Sequence, residues 1–160
     1  MGIKRTQSSV SLTKYFLKSQ SIIATEIKKT LSRLGEKCNK RIRDRAAKDS
    51  WKDQTGNLRS SIGYAIYSYG KVEIESAFNV VKDGTEGHQT GLKMVEELAR
   101  QFADTYALVV LAGMDYASDV EEIETKDVLA STELWAKSVI SSEMEKAKEK
   151  AMNKINKLII

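Results

Sequence analysis

The sequence predicts an α+β fold, because long helical stretches near its two ends enclose shorter strand-like stretches. Apolar residues recur every three or four positions over residues 21–48 and again over 132–159, which is the spacing of an amphipathic helix. Between them, residues 58–69, 72–78 and 106–113 are rich in the β-branched and aromatic side chains that suit strands. The absence of proline argues against a sandwich of many short strands and loops.

The length of 160 residues is that of one domain, and a chain of this size buries a sizeable core without disulfides or metals. We predict an N-terminal arm over residues 1–20 and a single α+β domain over 21–160. The arm is polar, basic and rich in serine and threonine, so it is either flexible or the lead-in to the first helix. The single cysteine, Cys38, has no partner for an internal disulfide and falls on the apolar stripe of the first helix.

No stretch of the sequence is apolar over the roughly 20 residues that a membrane-spanning helix needs. Residues 1–20 also lack the apolar core and the small-residue cleavage site of a signal peptide. We therefore expect a protein that is made in the cytosol and has no membrane partner.

The first helix, over residues 21–48, has one apolar stripe and otherwise basic faces. The stripe comprises Ile23, Ile27, Leu31, Leu34, Cys38, Ile42 and Ala46. From residue 28 onward the helix carries many lysines and arginines against only Glu36 and Asp44, whereas residues 115–127 are strongly acidic. A basic helix and an acidic segment in one small domain suit copies of the same chain that dock on each other.

A tight turn and a pair of strands follow the first helix. Glycine and asparagine within residues 53–57 tolerate the positive φ that such a turn requires. The strand over 58–69 then reverses at Gly70 and Lys71 into a second strand over 72–78. Apolar and charged residues alternate in the second strand, which predicts one buried face and one wet or paired face.

The next stretch, residues 79–91, contains three glycines among polar residues and is predicted as a mobile loop. A helix with an apolar inner face follows over 92–104. The strand over 106–113 is the most apolar in the chain and lacks alternation. We therefore expect it to be the central strand of the sheet, covered on both faces.

The C-terminal part begins with the acidic segment and ends in a long helix. We predict a helical turn over residues 118–122, a short strand over 126–129 and a helix over 132–159. Ser131 or Thr132 is placed to cap the N-terminus of this helix, and Trp135 in its first turns is predicted as a core or interface anchor.

Few residues in this sequence form a pattern that is able to do chemistry. The single histidine, His88, has no cysteine or second histidine nearby to complete a zinc site. The carboxylates of residues 115–127 are consecutive on one segment, whereas a paired-metal site draws its ligands from several strands. They therefore favour an exposed acidic edge over a magnesium site. We expect no catalytic residue, no metal and no cofactor, and hence a protein that is not an enzyme.

Two short stretches of the sequence resemble motifs of one protein family. Residues 55–62, Thr-Gly-Asn-Leu-Arg-Ser-Ser-Ile, are similar to the segment TGxLRxSI of the minor-tail or tail-completion components of long-tailed double-stranded DNA bacteriophages. Residues 116–121, Tyr-Ala-Ser-Asp-Val-Glu, are similar to the YAxxVE motif that follows a later strand of that family. The order of elements agrees over residues 21–155. The family's Gly-Thr pair after the glutamate is absent here, and residues 79–104 look like an enlarged loop and helix.

The resemblance implies an α+β fold with a small, mainly antiparallel sheet packed by helices, and a structural role in the virion. Proteins of this family form a ring, commonly sixfold, at the junction of the head connector and the tail tube. The resemblance thus implies a homo-oligomer located in the virion and made in the host bacterial cytoplasm. Its expected partners are connector or neck proteins and tail-tube or tail-terminator proteins, with DNA passing through the ring.

The residues expected to make contacts between subunits or with partners lie on the basic helix and after the last strand. They are Arg41, Arg45, Tyr116, Asp119, Glu121, Glu122 and Glu124. Tyr116 is expected to anchor the end of the strand, and Glu121 to pair with a basic residue of a neighbour. The acidic residues 119–127 are expected to meet the basic helix 28–48 of the next subunit. Local folding is the competing interpretation of the motif residues.

Two other functions are open at this point. The cations of residues 28–48 suit salt-dependent, non-specific binding of nucleic-acid phosphates, which favours a nucleic-acid-binding accessory protein. The acidic residues 115–127 are the sole basis for a third interpretation, a metal-dependent nuclease.

Overall fold

The computed structural model describes residues 9–45, 50–52, 54–122 and 126–158. The elements, in chain order, are helix α1 (Ser9–Arg43), helix α2 (Asn57–Ser60), strand β1 (Ile62–Ser68), strand β2 (Lys71–Glu75), helix α3 (Thr85–Leu98), a 3₁₀ turn (Ala99–Phe102), strand β3 (Tyr106–Ala112), helix α4 (Ala117–Glu122) and helix α5 (Ala130–Ile155). The three strands form one antiparallel sheet, against which segments of the long helices α1 and α5 pack. The predicted α+β fold class is therefore confirmed.

The chain divides into two compact units. Unit 1 comprises Met1–Thr30 and Ile140–Ile160, and unit 2 comprises Leu31–Val139. Helices α1 and α5 each contribute one segment to each unit. Because α1 begins at Ser9, well before the predicted start at residue 21, much of the predicted arm is the N-terminal part of this helix.

Unit 1 contains a pair of helical segments that line a common apolar groove and are joined by an ion pair between Lys154 and Glu26. Ala147 and Ala151 of α5 are buried, and they line a common groove with Ile27 of α1. Lys154 donates a hydrogen bond to the Glu26 carboxylate, with 2.5 Å between Nζ and Oε1. This hydrogen bond lowers the pKa of Glu26, although burial of the carboxyl acts in the opposite direction. The stabilisation from the pair is therefore present at neutral pH and is lost as the pH falls through the lowered pKa.

Strand β1 is the central strand of unit 2. The strand order is β2-β1-β3, and all of β1 from Ile62 to Ser68 is buried. Both pairings are antiparallel, so that Ala65 lies opposite Glu75 on one side and opposite Val109 on the other. The predicted reversal between the first two strands is confirmed at Gly70, where φ is +79°.

Two apolar clusters form the core of unit 2. Core 1 consists of the buried residues Ile42, Trp51, Leu58, Ile62 and Val128. Core 2 consists of the buried residues Ala65, Tyr67, Phe78, Val95 and Leu111. Successive residues of a strand point to opposite faces of the sheet, so the even-numbered Ile62 and the odd-numbered Ala65 and Tyr67 belong to different clusters.

The strand predicted to be central, residues 106–113, is instead the edge strand β3. Its apolar run has a different cause from the expected one. Val110 and Ala112 pack against core 1, whereas Ala107 and Val109 pack against core 2. Apolar and polar residues do not alternate along this edge strand, because both of its faces are packed. One of its backbone edges nevertheless has no partner strand in the described sheet.

Three other predicted elements are wrong, each for a local reason. Residues 58–60 belong to α2, because Gly56 at φ +88° turns the chain and its carbonyl accepts the Ser60 amide at 2.9 Å. Residues 85–91 form the first half of α3 instead of a loop. Residues 126–129 pair with no strand in the described sheet, and their amides at Val128 and Leu129 bind a carboxylate instead.

The glycines of α3 are packing positions and do not make the segment mobile. A Cβ at Gly87 would lie 2.6 Å from the carbonyl carbon of Asn57, and closer still to its oxygen. A Cβ at Gly91 would lie 2.7 Å from Cδ1 of Phe78. Each glycine lowers helix propensity by roughly 1 kcal/mol relative to alanine. Close packing against α2 and core 2 offsets that loss and explains why a glycine-rich stretch is helical.

We expect Gly87→Ala to destabilise the protein, although alanine is the better helix former. The added methyl group would meet a backbone carbonyl that cannot rotate aside, and overpacking of this kind costs roughly 1–3 kcal/mol. Urea denaturation followed by circular dichroism measures the change in the free energy of unfolding. Gln89→Ala, at an exposed position of the same helix, is the control and should change it by less than about 0.5 kcal/mol. An unchanged stability of Gly87→Ala would contradict the close contact.

Candidate interaction site

A basic cleft in unit 2 lies between the end of α1 and the start of α5. It has a volume of 480 Å³ and is lined by Lys37, Lys40, Arg41, Asp44, Arg45, Ser131, Thr132 and Trp135. Two of the predicted contact residues, Arg41 and Arg45, therefore lie in one site.

Helical periodicity places the cations of the basic cleft on one side of α1. Leu34, Cys38 and Ile42 of the predicted apolar stripe are buried, as expected. Burial raises the pKa of the Cys38 thiol, which stays neutral as part of the apolar interior. Residues three and four apart share a helix face, so Lys37 and Arg41 fall next to each other beside the buried stripe.

Arg41 stacks on the aromatic ring of Trp135. Its guanidinium carbon lies 4.6 Å from the ring centroid, within the range of a cation–π contact. Arg41 is exposed and Trp135 is half-buried, so the pair keeps a solvent-facing side. It presents a flat, positively charged surface at the cleft.

Arg45 is bound to the segment that leads into α5. Its guanidinium donates to the carbonyl oxygens of Asp127 and Val128, the latter at 3.2 Å. It also reaches the hydroxyls of Ser131 at 3.2 Å and Thr132 at 3.3 Å, and the Asp127 carboxylate at 3.2 Å. Only 9% of the Arg45 side chain is exposed, so this residue holds the two chain segments together.

Glu121 caps the N-terminus of α5. One carboxylate oxygen, Oε1, accepts the backbone amides of Val128 at 2.7 Å, Leu129 at 2.5 Å and Ala130 at 2.9 Å. These amides belong to the start of a helix, where N–H groups lack partners within the helix and negative charge is favourable. Glu121 thus ties the end of α4 to the beginning of α5.

Arg45 and Glu121 make their contacts within one chain, and for the motif residue Glu121 this agrees with the local-folding interpretation. The ion pair between Arg45 and Asp127 also brings the basic end of α1 against the acidic segment of the same chain. A contact expected between neighbouring subunits is therefore formed, in part, inside a single subunit.

The other predicted contact residues are on the surface or outside the described part of the chain. Tyr116, Asp119 and Glu122 are exposed. Glu124 lies outside the described residues. The acidic side chains of Asp119 and Glu122 are therefore not among the groups that Arg45 binds, and they stay accessible to a partner protein.

The part played by α5 in the basic cleft does not follow from the sequence. Periodicity predicts Trp135 only as a core or interface anchor, and Thr132 only as a helix cap. Thr132 is buried, and its hydroxyl accepts from Arg45. The sequence does show that Thr132 and Trp135 lie about one turn apart at the start of a helix. It does not show that they contact α1, because that contact depends on the tertiary fold.

The two stretches that resemble phage motifs meet in unit 2. Ala117 and Val120 of the second stretch pack against core 1, to which Leu58 and Ile62 of the first stretch belong. The Gly113 amide, three residues before the second stretch, donates to the Ser61 carbonyl at 3.1 Å and also lies 3.1 Å from the Ser61 hydroxyl oxygen. Arg59 of the first stretch lies over the Trp51 ring at 4.8 Å from its centroid, and Leu58 is buried in core 1. Each stretch therefore joins a helix to the sheet.

The described residues show neither a metal-binding cluster nor a membrane-spanning helix. No group of three or more histidine, cysteine, aspartate or glutamate side chains within the described ranges is placed to hold a metal ion. His88 is half-buried on α3, and its Nδ1 lies 2.5 Å from the carbonyl oxygen of Phe78. None of the helices in the described residues is long and apolar enough to cross a bilayer.

Comparison of the chain with protein-family models, with curated proteins and with solved structures found no match.

We expect Glu121→Ala to loosen the start of α5 and lower the free energy of unfolding by about 1–2 kcal/mol, the usual loss for a helix cap. Thermal and urea denaturation measure the loss, and hydrogen exchange of the amides of residues 128–130 locates it. Glu122→Ala is the matched control, because Glu122 is exposed and adjacent. Equal stability and equal exchange in the two variants would show that the carboxylate does not cap the helix.

Proposed function

We propose that this chain is a non-enzymatic structural subunit of a tailed phage or prophage particle. In this proposal copies of the chain assemble into a ring at the head–tail junction, between connector or neck proteins and the tail tube or its terminator. The observation that carries the proposal is the packing of the two motif-bearing stretches in core 1, where Ala117 and Val120 of the second stretch lie against the cluster that contains Leu58 and Ile62 of the first. Motifs that resemble one family thus occupy one structural joint.

The order of elements supports the same proposal. A long helix, a Thr-Gly turn, a strand pair, a further strand, a Tyr-Ala turn and a C-terminal helix occur in the order that the resemblance implies, with α3 and the 3₁₀ turn inserted before the further strand. The motif residues have mechanical roles at the junctions of these elements. Arg59 packs on Trp51, and Glu121 caps α5. Rigid junctions suit a subunit whose task is to hold position in an assembly.

Exposed charge gives the proposed subunit two surfaces of opposite sign. Asp119 and Glu122 are exposed on α4, whereas Lys37, Lys40 and Arg41 are exposed on α1. A head-to-tail contact between such surfaces repeats from copy to copy, and it makes a ring when the rotation closes. Complementary charge mainly gives such a contact its orientation.

The test uses the phage or prophage whose genome encodes the chain. Deletion of its reading frame should leave filled heads and finished tails that do not join, as counted by electron microscopy of the lysate. Supplying the wild-type chain from a plasmid should restore joined particles. Normal joining without the chain would overturn the proposal, as would a reading frame with no capsid, connector or tail genes beside it.

Charge reversal tests the head-to-tail contact in the same complementation assay. The double variant Asp119→Lys and Glu122→Lys should give at least about tenfold fewer joined particles, because it places cations against the basic surface of the neighbour. Glu97→Lys is the control, because Glu97 is an exposed acidic residue on a different helix, α3. A double variant that complements as well as the control would remove α4 from the ring contact.

The basic cleft supports a second candidate function, binding of nucleic-acid backbone. Lys37, Lys40 and Arg41 line the cleft beside Trp135, which offers phosphate partners next to an aromatic ring. Phosphate contacts by lysine and arginine supply most non-specific affinity for nucleic acid. Aromatic rings beside such cations can stack on unpaired bases.

A filter-binding titration across salt concentrations tests this second function. We expect Lys37→Gln with Lys40→Gln to lower the slope of log affinity against log salt by roughly 0.9 for each duplex phosphate that the variant no longer neutralises. Lys93→Gln with Arg100→Gln removes the same charge from exposed positions near α3 and is the control. Equal slopes for the two double variants, or no binding by the wild type at low salt, would exclude the cleft as a nucleic-acid site.

A further inference from the structure

The two edges of the sheet differ in how they are protected. Natural edge strands carry charges, bulges or prolines, since an open edge invites pairing with another strand. Strand β2 follows this rule, with Lys71, Glu73 and Glu75 and a register shift opposite Ile66 and Tyr67. Strand β3, whose sequence is Tyr-Ala-Leu-Val-Val-Leu-Ala, has neither charge nor proline, and its pairing with β1 has no register shift.

The hydrogen bonds identify which backbone groups of β3 face outward. In an antiparallel pair, alternate residues direct both their amide and their carbonyl to the partner strand. The Gly113 amide binds the Ser61 carbonyl, and the Thr105 carbonyl accepts the Tyr69 amide, so the odd-numbered residues at both ends of β3 face β1. The even-numbered residues therefore direct their amides and carbonyls away from the sheet. They are Tyr106, Leu108, Val110 and Ala112.

These outward groups have no backbone partner among the described residues. The Tyr106 carbonyl accepts only the hydroxyl of its neighbour Thr105, at 3.2 Å. The side chains of β3 are half-buried apart from the buried Leu111, so the strand is an ordered part of the core as well as an open edge. A rigid apolar strand with free backbone groups is the surface that binds another strand by extending the sheet.

We propose that a second copy of the chain binds this edge, and that the two β3 strands pair antiparallel about a twofold axis at Val109. With Val109 opposite itself, Leu108 lies opposite Val110 of the second copy, and Tyr106 lies opposite Ala112. Each of these pairs joins residues whose backbone groups face outward in both copies. The register therefore satisfies the outward amides and carbonyls of β3 in both chains.

Side-chain size favours the same register. Tyr106 lies opposite the small Ala112, and Ala107 lies opposite the larger Leu111, so towards both ends of the paired strands a large residue has a small one across from it. Residues directly opposite in an antiparallel pair share a face, so core 1 of one copy continues into core 1 of the other. An interface whose two sides are the same patch needs this self-complementarity.

A neighbouring β2 strand is a poorer occupant of the edge than a second β3. The β2 edge brings the charged residues Lys71, Glu73 and Glu75 and an irregular register. If a cyclic ring extended the sheet from copy to copy, β3 would also run parallel to the neighbouring β2, and parallel pairing is slightly less stable. The twofold contact closes at two copies, so it does not depend on the proposed role at the head–tail junction.

Analytical ultracentrifugation of the purified full chain tests the dimer. We expect the wild type to sediment at twice 17.9 kDa, and Leu108→Lys to sediment at the mass of one chain. The variant would place two lysines on one face of the joined sheet, roughly 7–8 Å apart as diagonal neighbours. Val72→Lys, on the exposed β2 edge, is the control and should stay dimeric.

Cysteine cross-linking tests the register and does not require a lysine variant that folds. In the proposed pairing Val109 faces its own copy as a non-hydrogen-bonded pair, with Cα atoms about 4.5 Å apart, which lies within the range of a disulfide. We expect Val109→Cys to cross-link under mild oxidation at least about tenfold faster than Ala107→Cys. The two thiols introduced by Ala107→Cys would lie about 13 Å apart, since they are four residues out of register at about 3.3 Å each.

The outcomes separate the proposal from its alternatives. Dimer mass together with selective cross-linking at position 109 supports the twofold β3 contact. A wild type that stays monomeric at high concentration overturns the proposal, and so does an oligomer whose mass is unchanged in a folded Leu108→Lys. Equal cross-linking of the two cysteine variants overturns the register.

Discussion

The complete burial of β1 is the constraint on which the rest of unit 2 depends. A strand with no exposed residue needs a partner on each edge and a cover on each face. The hairpin supplies β2 on one edge, and β3 supplies the other. Core 1 closes one face and core 2 closes the other, so each neighbouring element is placed by what β1 requires. The close approach of Gly35 to the Tyr64 ring, where a Cβ would lie 2.5 Å from Cδ2, reflects the same demand on α1.

Glycine residues let the elements around β1 approach one another closely, because they carry no side chain at the points of contact. Gly87 lets α3 lie against Asn57 of α2, and Gly113 leaves the sheet where its amide can bind Ser61. The positions that look like chain breaks in the sequence are thus contacts between elements. Charged residues also join elements of unit 2, because Arg45 and Glu121 both bind the segment at the start of α5.

Periodicity is enough to predict both long helices, the hairpin and hence the α+β class, because each depends on local spacing. Periodicity does not predict the position of β3 in the sheet. An uninterrupted apolar strand indicates that both of its faces are packed, but it does not indicate whether both of its backbone edges are paired. Periodicity also misses the first half of α3, because its glycines suggest a turn. The residues that these glycines pack against are distant in sequence and cannot be inferred from it. For the site, charge alone points to Arg41 and Arg45, but their partners Trp135 and Asp127 are brought near only by the tertiary fold.

The hydrogen bond between Lys154 and Glu26 has a consequence for how the chain is made. The two residues are 128 positions apart. The hairpin of β1 and β2 closes a short loop, whereas the helical pair of unit 1 closes most of the chain, so its entropy of closure is larger and its formation later. At about 5–20 residues per second on the ribosome, the segment around Glu26 waits roughly 6–25 s before Lys154 has been synthesised. During that interval Ile23 and Ile27 of α1 are exposed without the α5 residues that line their groove, so we expect this part of the nascent chain to be bound by chaperones.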